Sequence, residues 1–235
     1  MDFKKLKKDV FEANLLLPEY NLVVLTWGNV SGIDRENGVI AIKPSGISYN
    51  KMCEEDIVLC DLDGKVLSGN LKPSSDLMTH IELYKNFIDI GGIVHTHSKW
   101  ATSWAQSGED ILAIGTTHAD YFYGSIPCTR DLTEEEISGE YELETGRVIV
   151  ETFKNRNIES KYVPSVLVKS HGPFSWGKNP IDAVNNALVL EECAMMSYVS
   201  SQIKNNKIDS MDAFLLNKHF KRKHGPNAYY GQVGN

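Results

Sequence analysis

The chain lacks the features that mark several large protein classes. Its four cysteines, Cys53, Cys60, Cys128 and Cys193, are scattered over 235 residues without paired spacing. That speaks against a thiolate metal cluster or a disulfide framework and suits free thiols in a reducing compartment. Long apolar runs are missing too. After the charged stretch Met1 to Lys8 comes only Leu15-Leu16-Leu17, closed by Pro18, too short for a signal-peptide core or a membrane span. Positive charge is in deficit, with 24 Lys and Arg against 31 Asp and Glu and a net charge of −7. Such a chain is not built to hold nucleic acid or an anionic membrane. An anionic substrate would have to meet donors placed locally. Repeats and low-complexity segments are absent, and 42% apolar with 23% charged residues is ordinary for a globular protein. We expect one cytoplasmic domain spanning residues 1–235.

Residues 3–17 carry Phe3, Leu6, Val10, Ala13 and Leu17 at helical spacing, and Pro18 is expected to end that helix. Strands are expected over 22–31, 38–43, 56–61 and 65–67, the last two flanking the hairpin signal Asp63-Gly64. Ser74 or Ser75 is the expected cap of a helix bearing Leu77, Ile81 and Tyr84. Ser98 is expected to cap a short helix carrying Trp100, Ala101, Trp104 and Ala105, and Thr133 with Glu136 makes a capping box. Residues 148–150 read equally well as helix or strand. A strand over 165–170 runs into His171, Pro180 opens a long helix to about Ser201, and a last helix covers 209–223. This pattern predicts an α/β fold in which a central mixed, largely antiparallel sheet is sandwiched between helix layers.

The chemistry concentrates on Gly91-Gly92-Ile93-Val94-His95-Thr96-His97-Ser98. If residues 92–97 are a strand, His95 and His97 share a face about 7 Å apart, within reach of one metal ion. The plainer alternative is two polar residues at a strand end. His171 stands in a similar setting, and three imidazoles without a thiolate partner suit a catalytic zinc with an open position. Asp76 fits either a fourth ligand or a first-turn acid favoured by the helix dipole, and His80 fits helix-face packing. Ser74 and Ser75 at a helix start, with the turns Gly28-Asn29 and Ser45-Gly46, offer donors for an anion. Lys43 adds a charge there, or is merely solvated.

Six segments, Leu25 to Ser31, Lys43 to Gly46, Lys72 to Asp76, Gly91 to Ser98, Gly115 to Gly124 and Ser170 to Gly177, together with Ala228 to Gln232, resemble the 4-epimerase branch of the zinc-dependent class II aldolase/epimerase family. The resemblance runs nearly end to end. It implies one zinc per subunit, held by His95, His97, His171 and Asp76. Substrate and phosphate contacts would come from Gly28, Asn29, Lys43, Ser45, Gly46, Ser74 and Ser75. It further implies Asp120 and Tyr230 as an acid/base pair and a homotetramer. There the segment from about 209 to 235, with His219 and Arg222, would complete a neighbouring subunit's site. The implied reaction interconverts L-ribulose 5-phosphate and D-xylulose 5-phosphate. The family's aldolases, which place a glutamate where this chain has Asp76, are the alternative, and a non-catalytic zinc or sugar-phosphate binding protein is a remote one. Without the resemblance Asp120 would read as a loop acid, Tyr230 as tail and Lys221-Arg222-Lys223 as a solvated charge run.

Overall fold

A computed structural model of the chain describes residues 3–225, 228 and 229. Its sheet contains β1 (Asn29–Asp34), β2 (Val39–Ile42), β3 (Val58–Asp61), β4 (Val66–Ser68), β5 (Gly92–His95), β6 (Ser165–Val168) and β7 (Gly172–Gly177). The helices are α1 (Lys4–Glu19), α2 (Leu77–Asn86), α3 (Lys99–Ser107), α4 (Thr116–Ala119), α5 (Glu134–Ser138), α6 (Tyr141–Asn155), α7 (Pro180–Ile203) and α8 (Ala213–His224). Strand order is β4-β3-β2-β1-β5-β7-β6, and every neighbouring pair is antiparallel. The expected α/β architecture is present. The parallel share that a mixed sheet would need is reduced to one isolated bridge, Cys128 to Leu167. No helix among the described residues is long and apolar enough to cross a membrane.

Side-chain alternation builds the two faces. In β2, Ile40 and Ile42 pack with Ile81 and Tyr84 of α2 and Ile149 and Phe153 of α6. Val39 and Ala41 instead join Val10 and Ala13 of α1 and Ala183 and Val184 of α7. On that second face a row of glycines crosses three strands, because Gly92 pairs with both Gly32 and Gly177. The start of α7 lies directly on the row. A Cβ on Gly92 would come within 2.5 Å of the Pro180 backbone, and one on Gly177 within 2.6 Å of the Ala183 nitrogen. The absence of side chains is what lets α7 approach the sheet.

Several local expectations shift. Leu22 to Gly28 is turn rather than strand, with Leu25 at φ 56° and Tyr49 Oη donating to the carbonyls of Trp27 and Gly28. Pro18 sits inside the last turn of α1, which ends at Glu19. The N-cap position of α2 is Asp76, and Ser74 Oγ accepts from the Asp76 nitrogen instead of capping a longer helix. The histidine strand stops at His95, so His97 lies beyond it. Residues 148–150 are helical, packed in α6. A further strand, β7, follows directly on His171 and pairs with both β5 and β6. The Thr133 and Glu136 capping box and the Pro180 helix start are present as expected.

Overpacking a core costs about 1–3 kcal/mol, and a clash with backbone falls at the upper end. Gly92→Ala is therefore expected to cost about 3 kcal/mol and lower the melting temperature by about 6–12 °C. Gly115→Ala, at a position with nothing within 4 Å of the added carbon, should change stability by under about 0.5 kcal/mol. Equal melting temperatures for the two variants would remove the close approach as a constraint.

Candidate metal centre and substrate site

The site is built on the ends of three paired strands. Asn29 opens β1, His95 closes β5 and Phe174 lies in β7; register sets Asn29 opposite His95 and His95 opposite Phe174. His95 is buried and stacks on Phe174, with ring centroids 4.2 Å apart at 19°. Its Nδ1 lies 3.0 Å from the Pro173 carbonyl, and donating there leaves Nε2 as the bare nitrogen. The chain then leaves the strand and His97, exposed, brings its Nε2 to 3.1 Å from that of His95. His171 enters from the turn between β6 and β7, behind Ser170 at φ 62°. Its ring centroid is 4.7 Å from that of His95 and 5.2 Å from that of His97.

One nitrogen from each ring lies within 4.8 Å of the other two. Nitrogens bound tetrahedrally at about 2.1 Å sit about 3.4 Å apart, so this donor set fits one divalent ion after small rotations. Burial, followed by the two neighbouring imidazoles, pushes His171 down to about 3. Burial lowers His97 as well. Both are neutral near pH 7, the state in which imidazole binds metal.

Asp76, expected as a fourth ligand, is not part of that close group of three nitrogens. Its Oδ2 accepts from Asn29 Nδ2 at 2.6 Å and from Ser74 Oγ at 3.5 Å. Burial alone would raise its carboxyl, but His95, His80, the Asn29 amide and His171 together hold it below the usual range. His80, one turn further along α2, packs as expected and does more: it is fully buried, with Nδ1 2.7 Å from Ser31 Oγ, which in turn lies 2.8 Å from Tyr84 Oη. Asp76, His80 and Tyr84 thus form one helical face bonded to alternate residues of β1.

The segments around Lys43 and Ser74 come together through the antiparallel bridge of Pro44 with Pro73. The Ser45 nitrogen donates to the Lys72 carbonyl and the Ser74 nitrogen to the Lys43 carbonyl. Gly46, at φ 70°, has open space around it, whereas a Cβ on Gly28 would sit 2.9 Å from the His95 carbonyl. Ser75 is exposed at the same bend. Lys43 is buried, with Nζ 3.4 Å from the Thr26 carbonyl, 3.3 Å from the Pro44 carbonyl and 4.8 Å from the Tyr49 ring centre. Burial pushes it down to about 8. No carboxylate pairs with it among the described residues, which leaves a buried cation suited to an anionic ligand.

A second cluster forms around Asp120. Arg222 donates to it through Nε at 3.0 Å and Nη2 at 2.6 Å, and His219 Nδ1 lies 3.1 Å from Oδ1. These contacts join α8 to the end of α4 within one chain. Burial would raise the Asp120 carboxyl, but the Arg222 and His219 bonds outweigh it and hold it ionised. The loop bearing Asp120 is closed by His118, whose Nε2 lies 2.7 Å from the Gly124 carbonyl and whose Nδ1 is buried without a partner. Among the described residues no hydrogen bond joins this cluster to the three histidines. Tyr230 lies outside the described residues.

Two supporting residues escaped the sequence reading. Tyr141 Oη lies 3.3 Å from His171 Nδ1. Glu191 accepts from the nitrogens of Trp100 and Ala101, both at 2.9 Å, the capping role expected of Ser98. Both act across long sequence separations, and no local pattern marks either.

Fold and site together define a class II aldolase-type protein. The chain belongs to the class II aldolase and adducin N-terminal domain family, which matches residues 8–198. Among solved structures, an L-fuculose 1-phosphate aldolase is 24% identical with a TM-score of 0.77, covering 93% of this chain and 95% of its own. YgbL from Klebsiella pneumoniae, a putative aldolase/epimerase/decarboxylase, is 21% identical at a TM-score of 0.72, covering 93% and 99%. The L-fuculose-1-phosphate aldolase from Thermus thermophilus is 19% identical at 0.64, covering 88% and 99%. At these identities the likeness is one of fold.

Buried neutral histidines also set a pH dependence. Burial lowers His80 to about 3 and His118 to about 4, whereas in an unfolded chain histidine titrates near 6.5. Below pH about 6.5 the unfolded state therefore binds protons that the folded state does not, and stability falls as pH falls. Each group contributes a slope of up to about 1.4 kcal/mol per pH unit, flattening once pH passes its folded value. Urea unfolding between pH 7 and 4.5 should show this, and His118→Gln should cut the slope by about 1.4 kcal/mol per unit. An unchanged slope would contradict the burial-driven shift.

Proposed function

We propose that this chain is a metal-dependent sugar-phosphate 4-epimerase that interconverts L-ribulose 5-phosphate and D-xylulose 5-phosphate. The observation that carries this reading is the convergence of His95, His97 and His171, together with the pairing of the Lys43 segment with the Ser74 segment two residues before Asp76.

In a 2-ketose the C4 proton is not adjacent to the carbonyl, so direct deprotonation there is unfavourable. Inversion at C4 is instead reached by breaking and remaking the C3–C4 bond. The C4 hydroxyl loses its proton to a base, and the bond electrons move onto the C2 carbonyl. The fragments are the enediolate of a three-carbon ketone and a two-carbon aldehyde phosphate. His95, His97 and His171, with Asp76 assigned as a further ligand, would hold a divalent cation, which would supply Lewis-acid stabilisation for the charge on the ketone fragment. Lys43, with donors from Gly28, Asn29, Ser45, Gly46, Ser74 and Ser75, holds the phosphate, and hence the aldehyde, while it presents its other face.

Re-addition then needs a proton at the new C4 oxygen from the opposite side. Asp120, held ionised by Arg222 and His219, enters as the acceptor, and Tyr230 is assigned as the partner donor. In this reading the site is completed when chains associate as a homotetramer. A sugar-phosphate aldolase that releases its aldehyde is the second reading, favoured by the L-fuculose 1-phosphate aldolase among the similar folds.

Product analysis separates the two. Incubated with L-ribulose 5-phosphate, the purified protein should form D-xylulose 5-phosphate, stop on chelation and recover with zinc. Asp120→Asn should lower the rate about 10²–10⁴-fold while metal stays bound. Free glycolaldehyde phosphate as the main product would establish the aldolase, and loss of metal with Asp120→Asn would contradict the role given to Asp120.

A further inference from the structure

We infer that Tyr141 is a positioning residue of the metal centre, fixing the tautomer and ring orientation of His171 so that Nε2 faces the ion. The inference rests on the metal-site reading above. The three histidines are not equally supported. His95 sits in a strand, stacks on Phe174 and gives Nδ1 to the Pro173 carbonyl. His171 belongs to a turn and is half-buried, so no strand fixes its ring. Its Nδ1 has one partner among the described residues, Tyr141 Oη at 3.3 Å. A neutral imidazole carries a single N–H, and the nitrogen that bears it cannot bind metal. An oxygen that accepts from Nδ1–H therefore makes Nε2 the ligand atom.

The phenol is itself held in place. Tyr141 begins α6, and its carbonyl accepts from Thr145 Oγ1 at 2.9 Å. The next residue, Glu142, offers its carbonyl to Thr79 Oγ1 of α2 at 2.5 Å. Gly146 lets the two helices close up, since a Cβ there would fall 2.7 Å from that of Glu82. Helix α2 also carries Asp76. One helix thus places the acidic group beside the metal site directly, and places the third histidine through α6 and Tyr141.

The test measures metal affinity by chelator competition with cobalt(II), together with the melting temperature of the metal-free protein. Tyr141→Phe keeps the ring and removes Oη. It should weaken cobalt binding about 10–100-fold and change the cobalt absorption spectrum, with the metal-free melting temperature unchanged. Thr79→Val, which loosens α6 and leaves the phenol intact, should weaken binding less. Tyr198→Phe on α7 should leave it unchanged. Wild-type affinity and spectrum in Tyr141→Phe would overturn the positioning role while leaving the metal site standing. No cobalt binding by the wild-type protein would instead overturn the metal-site reading, and this inference with it.

Discussion

The antiparallel register of β1, β5 and β7 is the constraint on which the rest of the structure depends. It aligns Gly32, Gly92 and Gly177 at one level, and Asn29, His95 and Phe174 three residues away at the other. Because that separation is odd, the two rows face opposite sides of the sheet. The glycine row admits the start of α7. The other row supplies an amide, the His95 imidazole and the aromatic floor beneath it. A one-residue slip of β5 would break both arrangements, by turning His95 into the α1/α7 layer and placing Ile93 under Pro180. Core packing and site geometry are therefore fixed by the same hydrogen bonds.

Charge is organised locally against the overall balance. The chain carries a net charge of −7, yet it buries one lysine, Lys43, among carbonyls and an aromatic face. Burial strengthens the interaction of such a cation with an arriving phosphate and keeps the remaining acidic surface at a distance. Asp120 is the converse case: a carboxylate kept ionised by an arginine and a histidine from one helix. The proposed chemistry draws on both, an anion held at one end of the substrate and a proton acceptor at the other.

Much of the fold was legible because it is local. The periodicity of α1, the capping box at Thr133 and the proline start of α7 are read from neighbouring residues, and each is present. What misled was local as well. Gly172-Pro173 looks like a turn, but Phe174, Ser175 and Trp176 pair with β5, and that long-range ladder overrides the turn signal. Ser98 looks like a helix cap, but Glu191, far along the chain on α7, takes that role. His95 and His97 do not share a strand face, since His97 lies past the strand and closes on His95 from the turn.

The sequence by itself determined which groups are available: three histidines without thiolate partners, one aspartate at a helix start, and serines and glycines in turns. Those identities set which donor atoms the chain can offer, because side-chain donor sets are fixed by residue type. Only the tertiary structure decided which of these groups meet. His171 reaches His95 because β7 pairs with β5, and Tyr141 reaches His171 because Gly146 lets α6 lie against α2. Neither approach leaves a trace in local spacing, since contacts between distant segments depend on packing and register across the whole sheet.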